Sequence, residues 1–562
     1  MAGVVLENLS WKKLIILGVF LLLLLLTFFL IGGLIAPAPS NVIYITGTKC
    51  IANRTHLDHD KWFIPRGHNE MCDQIWSFDD ERVEKEIITA SQIVFSFWIP
   101  HPKEGGQLKM YRWFQTLLGV LTLDIKYDPK NPVTDKAKLQ LDARIGYRGA
   151  DDDPKDWKLL AQSLEERQLD CAMDEAIEGY HYKCDILQLF ELGSVHYDYY
   201  LVNIRLPTFD NSDVNAGIGV LEDLHLVVIH QNGGFTKVWL SMKTVLFPMI
   251  LALLIWYWRR ITQLERPPSL LEKTLFVLGI ALSLLNLPME WLTCWLYLPF
   301  MLLVGDIRQG IFYAVLLSFW LIFAGEHLMD QVERNKLVMY WKHLSAVGFG
   351  CLCLFIFEIC ERGIQLTDPF FSVWVTDVGA NLALTFIVLA GVAACSYFLF
   401  LCYMIFKVFR NISAKKSALP QMSKARKKYY MGLIYRFRFL MALTLVCAAL
   451  TVIFFIISQV SEGQWKWGDD GIHLEYTSAF FTGVYGMWNV YVFGLLCLYA
   501  PSHKVITVTE DTDQSQEETV QLTHIPSEAS ALASDSQPME TSALHPSEGS
   551  ILQGFMSKQA AD

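Results

Sequence analysis

The sequence predicts an α-helical membrane bundle with a large β-rich domain inserted between its first two spans. The chain has 562 residues, of which 53% are hydrophobic and only 18% are charged, whereas a soluble protein carries about 25% charge. Several apolar segments are long enough to cross a bilayer, and residues 37–237 alternate like strands instead. These observations indicate a multi-pass membrane protein with one sizeable extramembrane domain.

Eight apolar segments have the length of a membrane span. The first, 14–36, contains no charged residue, and its length, together with Pro37 and Pro39 directly after it, argues against a cleaved signal peptide. We therefore expect an uncleaved signal anchor preceded by a cytosolic segment, 1–13. The remaining spans are predicted at 238–258, 275–295, 301–324, 345–360, 377–406, 439–460 and 478–498.

The charges of the short loops predict the orientation. Loops 259–274, 325–342 and 407–438 hold 4, 3 and 10 Lys/Arg residues, whereas loops 296–300, 361–375 and 461–477 hold 0, 1 and 1. Positive loops stay in the cytosol, so both termini should be cytosolic and 37–237 luminal. Seven spans then occupy 238–500, and the acidic tail 501–562, which has few residues able to form a core, is expected to be disordered.

The luminal segment has the pattern of an antiparallel β-sandwich or barrel. Apolar and polar residues alternate over 139–147, 202–206 and 224–228, and segments 92–99 and 117–127 are also strand-like. The segment holds four cysteines, and we favour the pairs Cys50–Cys72 and Cys171–Cys184 because each closes a short loop. A zinc site is the alternative, but no C-x-x-C pair supports it. Asn53 lies in the one luminal N-x-S/T glycosylation sequon.

Polar residues within or beside the spans form a second group of candidates. Asp306 and Arg308 are two residues apart, so on a helix they point in different directions and each needs a partner elsewhere. Candidate partners are Asn286, Glu290, Glu358, Asp377, Asn381 and Asn489. Such a cluster lines a cavity or fixes helix packing, and the sequence leaves both alternatives open.

A short motif in the largest cytosolic loop indicates trafficking. Tyr430 and Leu433 form a Tyr-x-x-hydrophobic sequence, which clathrin adaptors bind as an extended strand. The alternative is that Tyr429 and Tyr430 are interfacial anchors.

The chain has none of the common catalytic sequence motifs. It contains no G-x-S-x-G, H-E-x-x-H or P-loop sequence, and no basic stripe interleaved with aromatic residues of the kind that binds nucleic acid. We therefore expect no enzymatic activity, cofactor or nucleic-acid partner. A carrier, a heptahelical signalling receptor and a small-solute transporter remain as alternatives, and the last span lacks the Asn-Pro-x-x-Tyr motif of signalling receptors.

Five long stretches resemble the Wntless family, also called Evenness interrupted or Sprinter, and point to an insect member. They are IHQNGGFTKVW at 229–239, GDIRQGIFYA at 305–314, CERGIQLTDPF at 360–370, SAFFTGVYGMWN at 478–489 and LYAPSHK at 498–504. The resemblance implies a cargo receptor for Wnt proteins with a lipocalin-like luminal sandwich and seven final helices like those of a G-protein-coupled receptor. It also implies an acyl-chain cavity among the helices, clathrin-adaptor-dependent endocytosis, retromer retrieval, and residence in the endoplasmic reticulum, Golgi, endosomes and plasma membrane.

A carrier of acylated proteins needs an apolar slot, because exposing a chain of about sixteen carbons to water costs on the order of 10 kcal/mol. Large apolar side chains in or beside the later spans are the candidates for lining it, although ordinary packing or lipid contact is the alternative for each. They are Phe355, Phe357, Phe370, Phe371, Met441, Phe480, Phe481 and Met487. A small-to-large change at Gly483 is expected to fill such a slot.

Overall fold

The structure is a computed structural model that describes most of the chain. The residues described are 4–9, 11–52, 72–76, 81–84, 88, 90–100, 108–173, 177–208, 213–264, 266–326, 337–418, 431–432, 434–435, 438–447, 449–450, 453, 475–502, 507–508 and 520–521.

The segment between the first two membrane helices folds as a β-sandwich, hereafter the β domain. Its strands are β1 Ser40–Thr46, β2 Thr48–Ile51, β3 Gln74–Ile75, β4 Ile93–Ile99, β5 Leu117–Lys126, β6 Lys138–Arg148, β7 Lys158–Gln168, β8 Cys171–Ala172, β9 Lys183–Cys184, β10 Leu187–Leu192, β11 Tyr199–Arg205 and β12 Val220–Gln231. One sheet has the order β1-β12-β5-β10 and the other β3-β2-β4-β11-β6-β7, and every pairing is antiparallel. In a lipocalin the strands follow one another around the sheet as an up-and-down meander. The β domain shares the antiparallel all-β architecture of a lipocalin, but its strands are not arranged in sequence order.

The alternation of the sequence accounts for the sandwich. On β5 and β6, side chains such as Leu121, Leu139 and Leu141 are fully buried and face a core shared by both sheets, while their neighbours along each strand point outward. The chain crosses from one sheet to the other at Gly47, between β1 and β2. A Cβ atom there would lie 2.8 Å from the Phe97 ring, so this corner requires glycine.

Both predicted disulfides are present. Cys50 pairs with Cys72 and Cys171 with Cys184, which confirms the pairing of near neighbours. The second bridge joins the directly opposed residues of the β8–β9 pair.

The helices lie at the predicted spans, although their first and last residues differ from the predicted bounds by up to twelve positions. They are α1 Trp11–Leu30, α2 Glu81–Glu84 in the β domain, α3 Gly233–Thr262, α4 Leu270–Asn286, α5 Glu290–Thr293, α6 Met301–Glu326, α7 Trp341–Glu358, α8 Asp377–Ala418, α9 Arg438–Cys447 and α10 Glu475–Leu498. In the described part of the chain, seven helical segments are long and apolar enough to cross a membrane. The seventh predicted span, 439–460, is represented by the short apolar helix α9, and most of its second half lies outside the described residues.

The first and last long helices are direct neighbours. Gly32, Gly483 and Gly486 allow close approach, because a Cβ atom on any of them would lie 2.0–2.2 Å from a side chain of the opposing segment. At the far end of the same helix pair, the Val5 N–H donates to the Ala500 carbonyl at 3.0 Å. The chain before α1 and the chain after α10 therefore meet at the same end of the bundle.

The tail forms a separate unit. In its described residues, β13 Thr507–Val508 pairs antiparallel with β14 Val520–Gln521.

Candidate functional site at the junction of the β domain and the membrane helices

Strand β12 leads directly into helix α3, so one connection joins the two domains covalently without a flexible linker. Asn232 caps the helix, since its side chain accepts from the Gly234 N–H at 2.9 Å. Its own N–H donates to the Pro39 carbonyl at 2.8 Å. The segment leaving α1 and the segment entering α3 are thereby held together.

A second connection comes from the loop between α7 and α8. Phe370 is 1% exposed and lies in the β-domain core, with its ring 6.3 Å from that of Phe190. The Pro369 carbonyl accepts from the Glu191 N–H of β10, and the Phe370 carbonyl accepts from Arg167 Nη2, both at 2.9 Å. This loop inserts an aromatic side chain into the sandwich.

An ion pair supports this insertion. Arg362, at the end of the helical segment that continues α7, pairs with Glu191 of β10. Glu361 beside it is buried and accepts from the Val373 N–H at 2.7 Å and from Gln365 at 3.1 Å. The loop is therefore held at both ends.

Two buried cations and one partly buried carboxylate gather at the end of the helices that faces the β domain. Glu290 Oε1 lies 2.5 Å from Lys243 Nζ of α3 and 2.8 Å from Arg308 Nη2 of α6. The Leu287 carbonyl accepts from Arg308 Nη1 at 2.7 Å. Arg308 thus has its carboxylate partner on another helix, as its position in the sequence requires. Lys243 was absent from the predicted cluster, although a charge within a predicted span is a recognisable signal.

The other predicted polar residues occupy different positions. Asn489 and Asn286 are fully buried and share a hydrogen bond of 2.6 Å, and the Tyr485 hydroxyl reaches Asn286. Asp306 and Glu358 interact electrostatically with Arg362. Asn381 is exposed on α8. The polar residues therefore form one compact network around Glu290, a second around Asn286 and Asn489, and a looser group around Arg362.

The candidate slot residues are not assembled into one described cavity. Phe370 belongs instead to the β-domain core, because its loop folds back onto β10. Met487 is 2% exposed inside the helix core, and Met441 packs against the same core. Phe355 and Phe481 are 42% and 39% exposed. Phe357 faces Trp374 from the loop that carries Phe371, and Phe480 stacks edge-on with Phe481. Phe355 and Phe481 are the most accessible of the eight.

An apolar groove lies elsewhere, between α1, α3 and α10. Its volume is about 580 Å³, within the range of about 300–1,000 Å³ typical of ligand pockets. Phe28 and Ile31 form one wall, Met242, Val245 and Met249 another, and Phe493 lies at its base.

Two predicted sites cannot be located in this structure. Tyr430 and Leu433 of the adaptor motif, and Asn53 of the sequon, lie outside the described residues.

Two family models together cover residues 48–503 of the chain. The model described as Wntless, GOLD domain, matches residues 48–231, and the model described as Wntless-like, transmembrane domain, matches 232–503. The chain belongs to the Wntless family. Similar relatives include protein wntless homolog B of Xenopus laevis, which is 53% identical over 508 residues, 90% of this chain and 92% of the relative. The mouse homolog is 52% identical over the same shares, and protein wntless of Drosophila mojavensis is 49% identical over 97% of this chain and 98% of its own length.

Membership of the Wntless family supports a role in Wnt secretion. The boundary between the two models, 231/232, coincides with the turn at Asn232 that joins β12 to α3. The β domain is accordingly a Wntless GOLD domain.

The Wntless β domain also carries two histidines whose pKa is lowered by their surroundings. His230 is 4% exposed on β12 and its ring lies 4.3 Å from that of Phe114. Burial lowers the pKa of His230, against a smaller opposing effect of the Gln231 carbonyl. Burial also lowers the pKa of His196, and the nearby Arg112 charge lowers it further.

In the described part of the β domain, one group of side chains has the spacing of metal ligands. His181 Nε2 lies 3.0 Å from Glu222 and 3.5 Å from Asp124. Lys126 Nζ also lies 3.4 Å from Glu222. The lysine already compensates part of the negative charge at this solvent-exposed position, so the arrangement is that of a surface ion-pair network.

Proposed function

We propose that this chain binds lipid-modified Wnt proteins in the secretory pathway, shelters their acyl chain among its membrane helices, carries them to the cell surface and then recycles. The observation that carries the proposal is the match of both domains to Wntless family models, together with 53% identity over 90% of the chain to a wntless homolog.

The physical need for such a carrier follows from the acyl chain. Exposing about sixteen carbons to water costs on the order of 10 kcal/mol, so an acylated protein stays on membranes without a partner that covers its lipid. Phe355 and Phe481 present accessible aromatic surface on α7 and α10. These side chains are the best placed of the candidates to contact a guest chain.

The junction supports recognition of protein and lipid together. Because Phe370 and the Arg362–Glu191 pair fasten the α7–α8 loop to the β domain, a cargo protein held by the β domain has a fixed position relative to the helices. The acyl chain alone is shared by every membrane lipid, so specificity has to come from this second contact.

A capture experiment tests the proposal. The full-length chain, solubilised in mild detergent, is incubated with lipidated and with unlipidated Wnt, and bound Wnt is measured. We expect strong capture of the lipidated form and weak capture of the other, with Phe355→Ala and Phe481→Ala lowering capture. Phe409→Ala, which removes a phenylalanine of α8 that is 41% exposed, is the matched control. Equal capture of both forms would rule out a sheltered acyl chain.

The proposal includes recycling through clathrin adaptors and retromer, supported by the Tyr430–Leu433 motif. Tyr430→Ala and Leu433→Ala should each raise the amount of receptor at the cell surface and slow its uptake, because each removes a side chain that fills an adaptor pocket. Tyr429→Ala is the control, since it removes an interfacial aromatic residue and leaves the motif intact. A surface increase in all three variants would favour interfacial anchoring instead.

A further inference from the structure

The groove between α1, α3 and α10 has no role in the function proposed above. Its walls are mainly apolar and therefore suit a hydrocarbon chain. Helices α1 and α3 each pack on α10, while contact between α1 and α3 is slight. The gap between them is the groove. Asn489, a polar residue in its lining, is already engaged within the protein, because its side chain accepts from Asn286 and donates to the Tyr485 carbonyl.

The groove opens sideways towards the bilayer and is closed towards the β domain. Val245 and Met249 on its wall are 60% and 53% exposed, so lipid can enter within the membrane plane. At the β-domain end, the segment after α1 crosses to α3 and α10. Pro37 accepts from Ser478 Oγ at 2.5 Å, and Pro39 accepts from the Asn232 N–H.

The length of the groove fits one leaflet. Lys237 and Met249 both line it, and twelve residues of α-helix span about 18 Å. The hydrocarbon core of a bilayer is about 30 Å thick, or about 15 Å for each leaflet. One acyl chain of a lipid in the leaflet nearer the β domain therefore fills it.

Lys237 places a positive charge at the opening of the groove, at the depth of the lipid headgroups. Lys237 is exposed, and its ammonium lies 5.6 Å from the Trp113 ring. Trp113 in turn packs edge-on against Trp291, and paired tryptophans at the ends of spans mark the membrane interface. The ion pairs found among the described residues do not include Lys237, so a phosphate can pair with it.

We propose that this groove binds a membrane glycerophospholipid, with one acyl chain between α1 and α3 and the headgroup phosphate against Lys237. The sealed end and lateral opening favour a membrane lipid over the acyl chain of a secreted cargo, which has to arrive from the lumen. The bound lipid fills the space between two helices that otherwise touch only through α10.

The test uses the full-length protein in phosphatidylcholine vesicles that contain a trace of phosphatidylglycerol with a photoactivatable acyl chain. Cross-links are mapped by mass spectrometry. We expect them to concentrate on the groove walls, at Met242, Val245 and Met249. Val245→Trp should remove them by filling the groove, and because Val245 is exposed the variant should fold. Ile255→Trp, on the same helix outside the groove and 57% exposed, is the matched control.

The lysine is tested separately. Lys237→Ala should lower cross-linking of phosphatidylglycerol about fivefold, the effect of one lysine at an anionic lipid surface, and should not change cross-linking of a diacylglycerol probe that has no phosphate. Lys130→Ala, which removes an exposed lysine far along the β domain, should change neither.

Three outcomes would overturn the inference. Cross-links spread over α1 and α3 in proportion to exposure would indicate bulk lipid only. Loss of the cross-links on adding lipidated Wnt would assign the groove to the cargo chain. A dimer in native mass spectrometry that Val245→Trp converts to monomer would assign it to a second copy of the chain. The mapping, the variants and the dimer measurement are all made without Wnt, so failure of this inference is distinguishable from failure of the proposed function, which has its own capture experiment.

Discussion

Replacing Glu290 by glutamine should destabilise the membrane domain strongly. Glu290 is the one carboxylate between Lys243 and Arg308, whose side chains are 7% and 5% exposed. The variant raises the net charge of this buried group from +1 to +2 while it preserves the shape of the side chain. Breaking a buried ion pair costs about 3–5 kcal/mol. Arg308 keeps its bond to the Leu287 carbonyl, so we expect about 3 kcal/mol, the lower end of that range.

The assay is the heat resistance of the full-length protein in detergent, measured as the fraction that stays monodisperse after heating. Adding Lys243→Met to Glu290→Gln returns the net charge to +1 and should recover part of the loss. Glu166→Gln is the control, because it breaks an ion pair of 2.7 Å in which the side chains of Lys138 and Glu166 are 71% and 52% exposed; such surface pairs contribute about 0–1 kcal/mol. If Glu290→Gln is as heat-resistant as the wild type, or if Lys243→Met adds to the damage, the three charges do not act as a compensated group.

Three further variants test other parts of the structure. Cys171→Ser opens a bridge with a sequence separation of 13, which costs about 3 kcal/mol, so the protein should be retained inside the cell; wild-type amounts at the surface would contradict this. Gly483→Leu should weaken the α1–α10 contact by about 1–3 kcal/mol, since its Cβ would lie 2.2 Å from the Phe29 ring, whereas Gly494→Leu, whose nearest neighbour is 3.8 Å away, should be tolerated; equal heat resistance of the two variants would refute this packing. His230→Gln should flatten the acid sensitivity of the β domain. The pKa of His230 is lowered in the folded state, whereas the unfolded chain binds the proton near pH 6.5, so stability is lost as pH falls from about 6.5 towards the lower pKa of the folded state. Proteolysis between about pH 7 and pH 5 measures this, and an unchanged slope would exclude His230 as the sensor.

The features that sequence predicted are those encoded locally. The alternation around Leu139 and Leu141 gave strand β6, observed at Lys138–Arg148, because side-chain direction alternates along any strand. Both disulfides were predicted correctly because the two cysteines of each pair are close in the sequence. Seven apolar segments gave helices long enough to cross a membrane, because length and hydropathy alone decide that property.

The features that sequence did not predict depend on contacts between distant residues. Phe370 packs on Phe190, 180 positions earlier, and its apolar character alone does not distinguish a lipid-facing side chain from one inserted into another domain. Membrane helices are apolar on every face, so periodicity cannot show which face meets a neighbour. Gly483 illustrates the consequence: a bulky residue there meets Phe29 of α1, so it disrupts helix packing and does not test an acyl slot.

The contact between α1 and α10 sets an order of events during biosynthesis. Helix α1 emerges from the ribosome first, but its main partner begins only at Glu475, more than 400 residues later. At about 5–20 residues per second, that interval lasts on the order of 20–90 s. Throughout it, the face of α1 around Gly32 has only lipid or the insertion machinery to contact. Any chain that terminates before α10 leaves this face uncovered permanently, which gives membrane quality control a simple feature by which to recognise unfinished copies.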